Sequence, residues 1–148
     1  MREAARDVGL PERLGSDLER RWTELQPWPE APRILKAIGL PLAVATNCSV
    51  RLGRHAADRV GVRFAVVETA ESVGFYKPRP EVYHAVLARL GTAPQRTLFV
   101  AGSASDVPGA KAIGMPVYWH NRIRLAPRGD TPPDYLEGSL EPLLSCLP

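Results

Sequence analysis

Two rhythms of apolar positions alternate along this chain. Short unbroken runs, "PLAVAT" (41–46), "FAVVET" (64–69), "TLFVAG" (97–102) and "PVYWHN" (116–121), are separated by longer stretches with apolar residues at helical spacing. A run without polar alternation predicts a strand covered on both faces. Between the runs, the pattern predicts a helix over 50–60 closed by Gly61, and another over 80–91. The latter has Pro80 in its first turn, Glu81 and Arg89 complementing its dipole and Gly91 at its end. A helix over 106–114 begins at Asp106, with Pro108 in the first turn. Upstream, Leu14, Leu18, Trp22 and Leu25 fall on one face of a helix over 11–26, and "PWPEAPRILKAIGL" gives a second helix stopped by Gly39. The tail, with "APRGDTPPDY", reads as loop until a last short helix near 139–146.

Strands alternating with helices imply βαβ units, a parallel sheet and an α/β fold. In such sheets, ligands gather at the carboxyl ends of the strands. Those ends carry "TNCS", "ETAESVGFYK", "GSASD" and "HN", so the chemically interesting residues share one edge. No GxGxxG, GxxxxGK[ST] or GxSxG occurs, which leaves nucleotide-cradling loops and a serine nucleophile elbow unsupported.

Composition narrows the class. With 148 residues, 45% hydrophobic and 24% charged, the chain is one globular domain long and able to bury a core. The net charge of +3 comes from arginines spread without a basic run, so no nucleic-acid partner is expected. The two cysteines form no CxxC pair and suit a reducing cytoplasm. "MREAARDVGL" has no apolar h-region, and no apolar run reaches the ~20 residues that span a bilayer. Neither secretion nor a membrane is expected.

The candidate chemistry lies in three stretches. Thr46 and Asn47 end a strand, where a hydroxyl, an amide and free backbone N–H groups can converge on an anionic oxygen. Asn47 or Ser49 would equally cap the next helix. Lys77, in "GFYKPRPEVY", is one of three lysines against sixteen arginines. Preceding a proline, it is pushed to extended backbone on a stiff loop that can aim an ammonium at a carboxylate. Tyr83, six residues on, falls in the first turn of a helix and can turn its hydroxyl toward the same cleft; a surface lysine and a packed tyrosine are the plainer alternative. In "VAGSASD", Asp106 is a helix start and Ser103 either a ligand donor or a turn stabiliser. His55 and His84 read as helix-surface residues and His120 as a strand-end residue, none with ligand spacing.

In order and spacing, these stretches resemble the haloacid dehalogenase (HAD) superfamily, and within it the branch similar to the 2-haloacid dehalogenases. "LAVATNCS" matches the second motif, "YKPRPEVY" the Lys-Pro-x-Pro-x-x-Tyr third motif and "TLFVAGSASDVPGAKAIGMPVYW" the fourth; "VYWHNR" resembles the close of that branch. The similarity covers about Trp28 to Arg122. It implies a HAD-like Rossmannoid parallel sheet flanked by helices, with residues 1–27 the end of a helical cap and 28–148 an incomplete core. It also implies a covalent mechanism in which an aspartate displaces halide or phosphate and water cleaves the resulting ester. Lys77 would neutralise the nucleophile and hold the substrate's charge; Asp106 would anchor Lys77 and orient water. Thr46, Asn47, Tyr83 and Ser103 would line the substrate pocket.

Two departures qualify the resemblance. Where HAD phosphatases place a metal-binding aspartate after the fourth-motif strand, this chain has Gly102. That weakens any Mg²⁺ site, which would rest on Asp106, and leans toward dehalogenation without metal. Ser105, where dehalogenase relatives often carry tryptophan, pulls the other way. The second departure is the first motif, a strand ending in Asp-x-x-Gly-Thr that lies between the strands at 41–46 and 97–102. It is absent; Asp7 and Asp17 follow no buried strand pattern. The chain is thus expected to be truncated and inactive alone, with two strand edges either unpaired or closed on each other. Its substrate would be a 2-halo acid or, in a phosphatase fragment, an organic phosphate. A non-catalytic remnant acting as a binding or homodimerisation module is the third reading.

Overall fold

The computed structural model describes residues 9–147. The chain opens with α1 (Glu12–Arg20), one 3₁₀ turn (Arg21–Glu24) and α2 (Ala31–Ala37). Then β1 (Ala43–Thr46), α3 (Val50–Arg59) and β2 (Val66–Thr69) lead into a single-turn α4 (Ala70–Val73). After α5 (Pro80–Leu90) and a 3₁₀ turn (Pro94–Arg96) come β3 (Phe99–Ala101), α6 (Asp106–Ala112), β4 (Val117–His120) and β5 (Tyr135–Glu137). A final 3₁₀ helix spans Glu141–Cys146.

All pairings are parallel, as the alternation of strands and helices predicts, but the strands form two sheets rather than one. β1 pairs with β2, Ala43 beside Val66, while β3, β4 and β5 form the second sheet in that order. β4 is the pivot of the core. Its four residues are all buried, and successive side chains leave on opposite faces. Val117 and Trp119 join Tyr83, Leu87, Val107 and Ala110 of α5 and α6, whereas Tyr118 joins Ala31 and Ile34 of α2, Leu143 of the C-terminal 3₁₀ helix and Leu140 just before it. Helices therefore cover both faces.

Several local expectations are corrected. The helix expected over 11–26 stops at Arg20 and continues as 3₁₀, and its apolar face is not buried: Leu18 is 53% exposed. The helix before β1 ends at Ala37, and its C-cap Ile38 is already extended ahead of Gly39. Two elements were invisible in the hydrophobic pattern. α4 is fixed by a reciprocal capping box of Thr69 and Ser72, and β5 lies in the proline-rich tail with a partly exposed "YLE".

The largest correction concerns β1, expected as a strand covered on both faces. All four residues are only half-buried, and Val100 in the middle of β3 is 39% exposed. The reason is the break between the sheets. Among the described residues, no strand pairs with the second edge of β1 or of β3. The edges have not closed on each other. A cavity of about 590 Å³ separates them, lined by Pro41–Ala45 on one side and Thr97–Val100 on the other.

Candidate functional site

The carboxyl ends of β1 and β3 carry the site. Asn47 follows β1 directly and does not cap α3; Ser49 does that, accepting the Leu52 N–H at 3.3 Å. The Asn47 side chain grips the backbone of Lys77 instead. Its Oδ1 accepts the Lys77 N–H at 2.7 Å and its Nδ2 donates to the Lys77 carbonyl at 3.0 Å. This pair fixes the third-motif loop against the end of β1, with the Lys77–Pro78 peptide cis.

From that anchored loop, Lys77 Nζ donates to Asp106 Oδ2 at 2.8 Å, both side chains close to one-tenth exposed. Asp106 is the first residue of α6 rather than its N-cap, which is Ser105, so its carboxylate is free for the lysine. The ammonium also lies 5.5 Å from the centre of the Phe99 ring. Such a pair, removed from water, holds only because each charge satisfies the other. Tyr83 is buried, and its hydroxyl donates to the Asp106 carbonyl at 3.3 Å. Burial first, then the Asp106 charge, raises its pKa well above the ordinary tyrosine value, so it stays a neutral donor.

Close backbone approach brings these parts together. A Cβ on Gly109 of α6 would fall 2.6 Å from the Pro78 carbonyl oxygen and 2.9 Å from the Tyr83 hydroxyl. Gly53 of α3 is as tightly held, with the methyls of Thr69 and Thr46 at 2.8 and 2.9 Å from such an atom. Thr46 thus turns its methyl to α3, and its hydroxyl donates to Cys48 Sγ at 3.2 Å. Ser103 Oγ accepts the Ser105 N–H at 3.3 Å, and its carbonyl accepts the Asp106 N–H at 3.1 Å.

Lys77, Asp106, Asn47 and Tyr83 therefore meet in one network, while Thr46 and Ser103 shape the adjoining turns. Neither Gly53 nor Gly109 was singled out in the sequence; a glycine inside a helical pattern was their only signal. His120 lines the same cavity as Lys77, Gly102 and Asp106. Burial lowers its basicity, and its Nε2 accepts from Arg122 Nε at 3.3 Å. His84 is exposed as expected, but His55 is half-buried with its Nε2 unpartnered. Asp17 lies on α1, paired with Arg20; Asp7 lies outside the described residues.

For a magnesium ion the donor set does not fit. Asp106 already bonds Lys77, Gly102 has no side chain, and the described residues contain no group of three or more His, Cys, Asp or Glu placed to hold a metal. Nor is any helix among them long and apolar enough to cross a membrane.

A family model for haloacid dehalogenase-like hydrolases matches residues 4–114. The chain belongs to the haloacid dehalogenase-like hydrolases. An (S)-2-haloacid dehalogenase of Pseudomonas putida is 34% identical over an alignment of 114 residues that covers 71% of this chain and 49% of that protein. The phosphoglycolate phosphatase of Escherichia coli (strain K12) is 37% identical over an alignment of 84 residues that covers 55% of this chain and 33% of the relative. Among solved structures, the L-2-haloacid dehalogenase of Xanthobacter autotrophicus with chloropropionic acid covalently bound superposes with a TM-score of 0.77 at 26% identity. That match covers 96% of this chain and 71% of the other. The chain spans about half the length of the curated dehalogenases it matches. The HAD-like Rossmann-like fold and the 2-haloacid dehalogenase-like branch, both expected from the motifs, agree with these similarities.

Proposed function

We propose that these residues form the charge-holding half of a 2-haloacid dehalogenase-like site. The observation that carries this reading is the buried Lys77–Asp106 pair at the carboxyl ends of β1 and β3, clamped by Asn47. In the reaction proposed, a carboxylate oxygen attacks the carbon bearing the halogen, and the C–X bond breaks with its electron pair leaving on halide. Water then hydrolyses the ester to a 2-hydroxy acid and restores the carboxylate, with one proton released. Lys77 neutralises the attacking carboxylate and the acid substrate as a compact point charge. Asp106 holds Lys77 and orients the water, and Asn47 is a positioning residue acting through the Lys77 backbone. Thr46 and Ser103 offer their turn N–H groups, and Ser103 its hydroxyl, to substrate oxygens, and Tyr83 closes the pocket floor. Residues 28–148 are the catalytic core of this reading and residues up to 27 the end of a cap.

The attacking carboxylate is a second one, because Asp106 is committed to Lys77. Among the described residues no other carboxylate bonds that ammonium. The 148-residue chain by itself therefore turns over little or nothing. The test is halide release from 2-chloropropionate and phosphate release from p-nitrophenyl phosphate, each with and without Mg²⁺. Background rates from both support the reading. Substantial release that disappears in Asp106→Asn would overturn it, and Mg²⁺-dependent phosphate release would favour the phosphatase alternative suggested by the E. coli relative.

A further inference from the structure

The joint between α1 and the core is a short segment that few backbone bonds hold. Between Leu25, whose carbonyl accepts Arg59 Nε at 3.0 Å, and Ala31, whose N–H bonds the Trp28 carbonyl at 2.9 Å, lies "QPWPE". Pro27 and Pro29 have no backbone N–H to give. Side chains hold the joint instead. The Trp28 ring is 48% exposed, yet the Arg122 guanidinium lies over it at 4.4 Å from the centre, and the His120 ring meets it edge-on at 6.3 Å. Arg122 is also paired with Glu30, which stands at the N-cap position of α2 without capping it. The same carboxylate oxygen accepts the Leu140 N–H at 3.4 Å. Arg122 is the hub of this clamp, and its Nε donates to His120 Nε2 at 3.3 Å.

A ring nitrogen that accepts carries no proton. Once protonated, His120 Nε2 is itself a donor, facing a guanidinium that can accept nothing. That bond is then lost, and two like charges are left in contact. The other charges around His120 do not relieve the conflict. Glu30 is already engaged by Arg122, and Glu137, the register partner of His120 on β5, bonds neither of its ring nitrogens. Lys77 and Arg96, which line a cavity with His120, add positive charge, and Asp106 there is bonded to Lys77. With His120 only 8% exposed, little water screens the repulsion.

We propose that His120 is a pH-operated latch on the joint between α1 and the core: neutral, it seats Arg122 against Trp28 and Glu30, and protonated, it expels the guanidinium and releases Trp28. The 3₁₀ turn after α1 stays docked, because Trp22 Nε1 donates to the Leu52 carbonyl at 2.9 Å and touches neither His120 nor Arg122. Release is therefore confined to residues 26–30. It depends on this cluster alone and is independent of the reaction assigned to Lys77 and Asp106.

The test follows the three indole N–H signals of the nitrogen-15-labelled complete chain by NMR, from about pH 7.5 to about pH 4.5. Trp28→Phe assigns the Trp28 signal by its loss. That signal should titrate with a midpoint below the ordinary histidine value of about 6.5, while those of Trp22 and Trp119 stay in place. Over the same range the Ala31 amide, corrected for the intrinsic effect of pH, should exchange roughly tenfold faster, as for the loss of one hydrogen bond and one cation–π contact. His120→Asn should abolish both changes. Arg122→Lys, which keeps the charge but not the flat fork, should leave Ala31 exchanging fast at every pH. A Trp28 signal that does not titrate, that titrates unchanged in His120→Asn, or that moves together with Trp22 and Trp119 would overturn the proposal. Should His120→Asn fail to fold, the His120 ring of the parent decides: its own titration must share the Trp28 midpoint, and a separate midpoint overturns the latch.

Discussion

Lys77 and Asp106 lie 29 residues apart in sequence and 2.8 Å apart in space, at the carboxyl end of the cavity between the two sheets. With both side chains close to one-tenth exposed, the pair acts as a unit. Removing one partner strands the other charge away from water. Lys77→Met and Asp106→Asn should each lower unfolding free energy, by about 3–5 kcal/mol for a fully buried pair and less where water reaches the stranded group. The double variant Lys77→Met/Asp106→Leu should recover most of that loss. Urea denaturation of the four proteins closes the cycle, and simple additivity would show that the two groups do not depend on each other.

Asn47 controls where the lysine stands. Asn47→Ala removes two hydrogen bonds to the Lys77 backbone, each contributing about 1 kcal/mol. The Lys77 amide should then exchange with solvent faster than in the parent, while amides of α5 change little. Asn47→Asp keeps an acceptor for the Lys77 N–H but sets a carboxylate oxygen against the Lys77 carbonyl, so it should restore only part of the protection.

Helix α6 reaches the Lys77–Pro78 loop because Gly109 has no side chain. A methyl there would lie 2.6 Å from the Pro78 oxygen and 2.7 Å from its Cβ, both parts of a rigid ring and backbone. Gly109→Ala should therefore destabilise by about 1–3 kcal/mol through overpacking. Gly39→Ala, where a Cβ meets nothing within 4 Å, should stay within about 0.5 kcal/mol. Thermal unfolding of both variants decides whether the close approach matters.

What the sequence disclosed about this site follows from what each residue has to touch. Lys77, Asn47 and Asp106 were legible because their loops are set by proline restriction and strand ends, which are local rules. How Asn47 uses its amide was not, because a helix cap and a clamp on a remote loop need the same residue type. The strands were legible from their apolar runs, but the half-exposed state of β1 was not. Burial depends on the neighbour across the sheet, and β1 has none on its second edge among the described residues. β5 was missed because it pairs with only one strand, β4, and leaves Leu136 exposed. No hydrophobic pattern marks a strand of that kind.

Asp134 ties the start of β4 to the approach of β5, accepting the Val117 N–H at 2.7 Å and bonding Lys111 Nζ at 2.9 Å. Burial alone would raise its carboxyl, but the bonds from Lys111 and Val117 outweigh it and hold it below the ordinary value. A carboxyl with a lowered folded-state value contributes stability that is complete above its unfolded value, about pH 3.9, and lost as the pH falls through the folded one. Asp134→Asn should thus destabilise the chain at neutral pH and flatten the acid limb of its stability profile below about pH 4. Denaturant midpoints across that range test both features.

His120 should give a second pH dependence, in a different window. Buried at the end of β4, it accepts a hydrogen bond from Arg122 and meets the edge of the Trp28 ring at 6.3 Å, with Glu30 paired to the same arginine. Burial lowers its basicity, so the unfolded chain takes up the proton first as pH falls. Between the unfolded value, about 6.5, and the lower folded value, the unfolded state holds more protons than the folded one. Unfolding free energy must therefore rise with pH through that window and level off above it. His120→Asn keeps a polar group for Arg122 but has no proton to gain, and its profile should be flat from about pH 5 to 7 while the parent's climbs. Urea unfolding of the two proteins over that interval distinguishes the cases: parallel slopes would mean that His120 is as easily protonated in the folded chain as in the unfolded one, and that the strand end is open to water.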